Sequence, residues 1–227
     1  MNRQLSQSYI YGWLLLMPAA IFLIAFTYYP TVATLAKSFF SQGTAIKASE
    51  FVGFENFEFL LEDDIFWQVA QNNVIYAIGT IPISIALALL MAIWVNGRLP
   101  LKSIIRMSYF TPTILPMIAV ANIWLFFYTP DIGLIDQISR NFGFASHNWL
   151  GDPNTVLGCI IAITIWKEAG FFMIFYLAAL QTLPPELEEA AYLEGASRWY
   201  YFRRVMFPLL MPTTLFVLIN AVINSFK

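Results

Sequence analysis

The amino-acid sequence predicts an all-α, polytopic integral membrane protein. Of its 227 residues, 59% are apolar and only 11% are charged, whereas a soluble domain carries about 25% charged residues. The mean hydropathy is +0.66. Five apolar runs are each long enough to cross a bilayer, which takes about 20 helical residues. These runs cover residues 11–29, 69–95, 104–128, 156–180 and 209–226.

The five runs are predicted to be helices because lipid offers no hydrogen-bond partner to an unpaired backbone group. Strands of a membrane barrel would be about 10 residues long and would alternate in polarity, which none of these runs does. The first run is longer than the apolar part of a signal peptide and is expected to stay as a span. Residues 1–227 are treated as a single transmembrane domain. Since the chain ends directly after the fifth run, we expect it to be truncated.

Positive charges are distributed unevenly between the two sets of segments that flank these runs. One set carries seven lysines and arginines: Arg3, Arg98, Lys102, Arg106, Arg198, Arg203 and Arg204. The other set carries three: Lys37, Lys47 and Arg140. Flanks that are rich in lysine and arginine lie in the cytoplasm. The N-terminus is therefore expected in the cytoplasm, and residues 42–67 and 129–154 are expected outside it.

Composition and missing motifs disfavour several classes of function. A formal net charge of −2 provides no basic surface for nucleic acid. The single cysteine, Cys159, can form no internal disulfide and makes a cysteine-based metal site improbable. His147 is the only histidine and is interpreted as a solvated loop residue, since it lacks partners at useful spacing. No G-x-x-x-x-G-K-[ST] phosphate loop occurs, so this chain cannot hydrolyse ATP by that means.

A short stretch between the fourth and fifth runs, residues 184–208, is called the polar segment below. Two prolines at its start end the preceding helix, and acidic residues follow in the first turn of a new one, where they favour the positive end of the helix dipole. Gly195 permits a sharp reversal through a positive φ. Residues 199–206 are predicted to form a second short helix, with Pro208 and Pro212 setting the start of the fifth span. Such an element could transmit a push from a soluble partner, although an amphipathic linker would share its local features.

Polar side chains inside the apolar runs are candidates for a solute path, because intramembrane polar groups are costly. Lys167 and Glu168 lie near the middle of the fourth run, and Asn122 lies in the third. Lys167 is expected either to contact a polar or anionic solute or to have a structural role. Asn122 is expected chiefly to hydrogen-bond to a neighbouring helix. Pro112 and Pro116 in the third run predict either a broken helix of a transport path or simple packing kinks.

The polar segment resembles the EAA motif of ABC importer permeases, whose pattern is E-A-A-x-x-D-G-A-x5-F-x-x-I-x-L-P-x3-P. The matching residues are Glu189, Ala190, Ala191, Glu194, Gly195, Ala196, Phe202, Val205, Phe207, Pro208 and Pro212. Glutamate, valine and phenylalanine replace the pattern's Asp, Ile and Leu, and these changes keep the glycine, the alanines and the prolines. Residues 51–57 and 166–184 also resemble the carbohydrate branch of the family, which includes glycerol-phosphate permeases.

The resemblance implies a permease subunit of an ATP-driven, binding-protein-dependent importer for a sugar or a glycerol-phosphate-like solute. Such importers lie in a bacterial-type inner (plasma) membrane. A cytoplasmic ATPase subunit dimer would use ATP and magnesium, and this chain would bind no cofactor. Residues 189–191 and 194–196 would dock on the ATPase, supported by the phenylalanine, valine and prolines that follow. A second permease subunit and an extracytoplasmic solute-binding protein would complete the importer, and family members usually have a further C-terminal span.

Two other interpretations stay open on the residues alone. An ion-coupled secondary transporter would need carboxylates inside the membrane, and Glu168 is the obvious one. A membrane-embedded enzyme would need a convergent polar cluster, and none is visible in the sequence.

Overall fold

A computed structural model describes residues 2–43, 49–97 and 100–226, with side chains from Tyr11 onward. The all-α prediction is confirmed. The helices are α1 (Asn2–Leu23), α2 (Tyr29–Lys37), α3 (Glu55–Glu62), α4 (Asp64–Asn96), α5 (Lys102–Ile114), α6 (Met117–Tyr128), α7 (Leu134–Asn141), α8 (Val156–Thr182), α9 (Glu186–Leu193), α10 (Arg198–Tyr201) and α11 (Phe207–Ser225). Two π-helical turns cover Ile24–Tyr28 and Phe202–Met206. Lys47 and Arg98, two of the cations behind the predicted orientation, lie outside the described residues.

The chain divides into two compact units, one ending at Val69 and the other beginning at Ala70. In the first unit, α1 and α2 are joined through a π-helical turn. Their apolar part, Tyr11–Lys37, runs beyond the predicted end of the first span at residue 29. After α2, the backbone forms an isolated antiparallel bridge between Phe40 and Phe51.

Four helical segments of the described chain are long and apolar enough to cross a membrane: Tyr11–Lys37, Asp64–Asn96, Val156–Thr182 and Arg198–Ser225. They correspond to the first, second, fourth and fifth predicted runs. The third predicted run, residues 104–128, consists of α5 and α6, which are bent by 100° relative to each other and would together count as a fifth span. Of the two alternatives for its prolines, the structure has the broken helix.

The bend in the third run lies at Leu115 and Pro116, where the backbone is extended with ψ angles of 133° and 143°. Proline has no N–H to donate and disfavours a helical conformation in the residue before it. Leu115 therefore ends α5, and Pro116 caps α6. Pro112 stays inside α5, so only one of the two prolines interrupts the helix.

Two other prolines are accommodated without a break, and each follows a π-helical turn. An N–H donates to the carbonyl five residues back in both cases, from Tyr29 to Ile24 before Pro30 and from Phe207 to Phe202 before Pro208. This spacing widens the turn and gives room to a proline ring that would clash in a regular helix.

The second of these turns overturns one prediction for the polar segment. Residues 199–206 do not form a separate helix, and neither Pro208 nor Pro212 begins a new helical segment. Residues Arg198–Ser225 form one continuous helical segment, because the widened turn carries the helix past Pro208 without a break. Pro212 lies inside α11.

Helix α8 is the centre of the second unit and packs against α5 and α11. Its buried Phe172, Met173 and Tyr176 share one apolar cluster with residues of α4 and α11: Ala88, Leu89, Ala92, Val95, Leu210, Val217 and Ala221. Lipid is as apolar as these side chains, so close packing and hydrogen bonds hold such helices together. Gly170 allows a very close approach of α8 to α5, since a Cβ at this position would fall on the Tyr109 carbonyl oxygen.

Hydroxyl groups form hydrogen bonds between the helices of this unit. The Tyr76 and Thr164 hydroxyls lie 3.0 Å apart and link α4 to α8. The buried Tyr176 hydroxyl donates to Thr214 at 3.1 Å and links α8 to α11. Each bond satisfies a tyrosine hydroxyl that would otherwise be unpaired in an apolar environment.

The segment between α6 and α8 is organised around the buried carboxylate of Asp136. Its oxygens accept hydrogen bonds from the backbone N–H groups of His147 at 3.0 Å and Asp131 at 2.9 Å. Arg140, one turn later in α7, forms ion pairs with both Asp136 and Asp131. The His147 N–H is the largest of the causes that hold the pKa of the Asp136 carboxyl below its usual value.

His147 is more constrained than the solvated loop residue that we predicted. Its Nε2 lies 3.2 Å from a carboxylate oxygen of Asp152, and its ring stands edge-on to Trp149. The turn after His147 brings Asp152 back beside it, an arrangement that residue spacing alone does not reveal.

Replacing Gly170 by alanine is expected to destabilise the protein, because the added methyl group meets a backbone carbonyl that cannot move aside. Overpacking of this kind costs about 1–3 kcal/mol. Gly158 is the matched control, since it lies in the same helix with open space around its Cβ position, and Gly158→Ala should be neutral or stabilising. Thermal unfolding of both variants in detergent measures the difference. Equal melting temperatures would contradict the close contact between α5 and α8.

Acidification is expected to loosen the segment between α6 and α8. A carboxyl with a lowered pKa stabilises the fold above its ordinary pKa of 3.8 and loses this contribution as the pH falls through the lower value of the folded state. Hydrogen-exchange protection of the Asp131 and His147 amides should be high at neutral pH and should fall below about pH 4. Asp136→Asn should lower protection of these amides at neutral pH too. If the protection of these amides in the native protein did not change with pH, the Asp136 carboxylate would not be what holds this segment together.

Candidate coupling surface and translocation cavity

Helix α9 begins shortly after α8 ends, because the backbone turns at the two prolines of the polar segment. Leu183 is extended, and Pro185 caps the new helix. Glu186, Glu188 and Glu189 occupy the first turn of α9, where carboxylates interact favourably with the positive end of the helix dipole. The local structure predicted for this part of the polar segment is confirmed.

The reversal after α9 is a Schellman motif centred on Gly195. The Gly195 N–H donates to the Tyr192 carbonyl at 3.1 Å, and the Ala196 N–H donates to the Ala191 carbonyl at 2.9 Å. Gly195 has a φ of +74°, which glycine adopts without steric cost. Ser197 then starts α10, since its hydroxyl accepts a hydrogen bond from the Tyr200 N–H.

The motif residues of α9 and its turn lie mostly at the surface. Glu189, Ala190, Glu194 and Gly195 are exposed, and Ala191 and Ala196 are half-buried. The small side chains leave the helix backbone open to close approach by a partner. Three of these six residues lie in α9 and three in the reversal that follows it.

Two large side chains that the sequence analysis did not single out project from the same turn. Tyr192 is 81% exposed and Leu193 is 84% exposed. Exposed apolar side chains next to one another are typical of protein interfaces. Their position between Ala191 and Glu194, within the motif itself, was a signal that could have identified them.

The four predicted supporting residues fall into two groups. Phe202 and Val205 are half-buried, and the Phe202 ring packs against Trp199 and Phe207 with centroid distances of 5.5 and 5.9 Å. Pro208 and Pro212 are exposed and act through the backbone of α11. The Phe202 side chain therefore packs α10 against the start of α11. Pro208 lies directly after the π-helical turn that joins these two helices.

A polar groove of about 990 Å³ lies beside α9, where α4 and α8 end. Its walls carry Glu188 and Glu189 of α9, Arg198 of α10 and Asn96 of α4. Charges of both signs line an open space, so the groove suits a charged segment of a protein partner better than an apolar molecule.

A second cavity, called the central cavity, has a volume of about 550 Å³ and is bordered by α4, α8, α11 and the bend between α5 and α6. Lys167 and Glu168 line it, together with Tyr76 and Thr164. The Thr113 hydroxyl, just before the bend, donates to the backbone carbonyl of Lys167 at 3.2 Å. The broken helix and the two intramembrane charges therefore meet at one place.

The two charged groups of the central cavity, Lys167 and Glu168, differ in their neighbours. The Asn224 side chain of α11 lines the cavity together with Glu168. Among the described residues, the Lys167 ammonium makes no hydrogen bond and no ion pair within 4.0 Å. Lys167 is thus a cation with unused donors that faces a cavity large enough for a small polar solute.

Asn122, the third residue predicted for the solute path, does not line the central cavity. It is exposed, and its amide donates to the Ile118 carbonyl of its own helix at 3.0 Å. The hydrogen bond of this amide lies within its own helix, because a carbonyl one turn back is within reach, and the expected bond to a neighbouring helix stays a prediction. Thr113, Thr164, Tyr76 and Asn224 were missed, since similar hydroxyl and amide residues occur throughout the apolar runs.

Comparisons with known proteins give a consistent result. A family profile described as "Binding-protein-dependent transport system inner membrane component" matches residues 84–227. A sulfoquinovosyl glycerol transport system permease protein of Agrobacterium fabrum is 33% identical over 94% of this chain and 70% of its own length. An sn-glycerol-3-phosphate transport system permease protein of the same organism is 30% identical over 96% of this chain and 74% of its own length.

A solved structure has the same fold. It is the crystal structure of a bacterial alginate ABC transporter in complex with an alginate pentasaccharide-bound periplasmic protein. One of its chains superimposes with a TM-score of 0.80 at 22% sequence identity, covering 97% of this chain and 74% of that chain.

Proposed function

This chain belongs to the family of binding-protein-dependent transport system inner membrane components, and from that premise we propose that its polar segment is the surface on which a cytoplasmic ATPase docks. The chain is a multi-pass permease subunit of an ABC importer. This assignment decides between the importer and the ion-coupled secondary transporter that the residues alone left open.

The observation that carries the docking proposal is the exposed Schellman turn at the end of α9. A partner cleft can receive the Tyr192–Leu193 pair, while the alanines allow close packing and Glu189 and Glu194 face basic groups of the partner. The turn is held by three backbone hydrogen bonds, from the N–H groups of Glu194, Gly195 and Ala196 to carbonyls of α9. A rigid, protruding element of this kind transmits a displacement instead of absorbing it.

The family assignment supports the proposed partner subunits. A dimer of ATPase subunits binds and hydrolyses ATP with Mg²⁺, a task for which this chain has no phosphate loop. A second permease subunit and an extracytoplasmic solute-binding protein complete the importer. The polar segment lies in the cytoplasm. With the bent α5–α6 pair counted as one span, four spans separate the N-terminus from the polar segment, so the N-terminus lies in the cytoplasm as well.

The central cavity is the proposed solute path, with Lys167 and Glu168 at its wall. The unpaired ammonium of Lys167 favours a solute that carries an anionic group, and the hydroxyls of Tyr76 and Thr164 suit the hydroxyls of a sugar or a glycerol. Relatives named for transport of sulfoquinovosyl glycerol and sn-glycerol-3-phosphate support a glycerol derivative or sugar of this charge type. Asn122 is exposed and lies next in the chain to Ala121, which lines the cavity.

Gly195→Asp and Glu189→Lys are expected to abolish ATP-driven solute uptake while the protein still inserts in the membrane. The first change strains a residue with a positive φ, and the second reverses a charge on the docking face. Glu186→Lys is the matched control, because it makes the same charge change in α9 at a residue outside the groove, and it should retain uptake.

Uptake in proteoliposomes and co-purification with the ATPase measure the outcome of these three variants. Gly195→Asp and Glu189→Lys are expected to lose both uptake and co-purification, whereas Glu186→Lys is expected to keep both. Normal ATP-driven uptake in either of them would refute docking through the α9 turn.

Lys167→Met is expected to lower uptake of a phosphorylated or sulfonated glycerol derivative, whereas Lys167→Arg should retain most of it. A hydrogen bond to a charged group contributes about 1.5–3 kcal/mol, so the loss should be at least about tenfold. Initial uptake rates with the unmodified binding protein provide the measurement. If Lys167→Met instead lowers the melting temperature and Lys167→Arg does not restore uptake, the residue has a structural role and the proposed contact is wrong.

A further inference from the structure

Helix α7 carries its polar and apolar residues on the opposite sides from those expected of a helix that packs on a protein core. Its most buried residue is Asp136, which has no exposed surface. Leu134 and Ile138, one turn apart on the other side, are exposed, and so is Phe142 one turn later. Residues four apart lie on the same face of a helix, so these three form one apolar stripe, of which the described chain leaves about half or more exposed.

The position of α7 is fixed by polar contacts, not by the stripe. Asp136 accepts hydrogen bonds from the backbone of Asp131 and His147 and pairs with Arg140. These polar contacts hold α7 to this chain on the side away from the exposed part of the stripe. A permanently exposed stripe of large apolar side chains is unfavourable in water, so it requires another environment.

Helix α7 lies at the level where two membrane-spanning elements end. It packs against α6, and its Ile135 shares a small cavity with Tyr128 at the end of α6 and Gly158 near the start of α8. The ends of spanning helices lie in the headgroup region of a bilayer. Exposed apolar residues continue from α6 to α7 through Leu125, Phe126 and Ile132.

We propose that α7 is an interfacial anchor whose stripe, Leu134, Ile138 and Phe142, inserts into the bilayer surface at this end of the protein. An amphipathic helix with one apolar face binds to the boundary between headgroups and acyl chains in this way. Gln137 and Arg140 lie on its other faces and meet headgroups and water. This interaction surface is additional to the docking and solute sites proposed above and does not depend on them.

Lipid fits the stripe better than a soluble partner does. A delivery protein must bind and leave in each transport cycle, and the stripe would face water whenever that protein is absent. Lipid is present throughout the cycle. A short helix held by an ion-paired carboxylate can thus keep its end of the protein at a fixed depth while the opposite end moves.

Depth-dependent fluorescence quenching tests this proposal in the full chain. The sequence has a single cysteine, Cys159, so a Cys159→Ala background accepts one environment-sensitive label at Ile138→Cys or at Phe142→Cys. Gln137→Cys is the matched control on the adjacent polar face. The variants are reconstituted in phosphatidylcholine nanodiscs that carry a nitroxide either near the headgroup or deep in the acyl chain, with melting temperatures as the check on folding.

The expected result is a blue-shifted emission from the labels at 138 and 142, strongly quenched by the shallow nitroxide and weakly by the deep one. The label at 137 should emit as in water. Labels at 138 and 142 that stay water-exposed and unquenched would overturn the proposal. So would labels that are shielded only after addition of the solute-binding protein or of a second permease subunit, since the stripe would then be a protein interface.

Discussion

The close contact between α8 and α5 at Gly170 is the constraint on which the second unit depends. Because Gly170 has no side chain, the backbone of α8 approaches the Tyr109 carbonyl of α5 directly. This approach brings Thr113, one turn further along α5, within hydrogen-bonding distance of the Lys167 carbonyl. The bend that follows Thr113 is thereby placed against the two charged residues of α8, and the central cavity forms between them.

Backbone hydrogen bonding in lipid helps to explain the local structure at three of the prolines. A carbonyl left without a donor is costly inside a membrane. At Pro30 and Pro208 a π-helical turn accommodates the ring and the helix continues. At Pro116 the helix breaks, and the break borders the central cavity, where irregular backbone can meet water or solute. Proline is thus compatible with a long continuous helix at Pro208 and interrupts the helix at Pro116.

Two uninterrupted helices connect the proposed docking surface to the central cavity. Helix α8 carries Lys167 and Glu168 at the cavity and ends directly before α9. Helix α11 begins beside Phe202, which packs on Phe207, and carries Asn224 next to Glu168. A displacement of α9 and α10 by an ATPase would therefore reach the cavity through both walls at once. Glu168 and Asn224 both line the cavity where these two helices would shift relative to each other.

The amino-acid sequence by itself determined the helical class, the apolar runs and the local structure around α9. These features depend on residues close together in the chain: prolines that end a helix, carboxylates in its first turn, and a glycine that must adopt a positive φ. The motif that identifies the family is local for the same reason, since its spacing reflects one helix, one turn and the start of the next helix.

Tertiary structure decided which proline breaks a helix, which polar residues share a cavity and which apolar residues remain uncovered. Lys167 and Asn122 look alike in the sequence as polar residues within apolar runs, but only Lys167 lines the central cavity. Nothing near Pro112 and Pro116 in the chain distinguishes the one that stays helical from the one that does not. These outcomes depend on how helices of nearly uniform apolar composition pack against one another. That packing is set by contacts such as Gly170 on Tyr109, between residues far apart in the sequence.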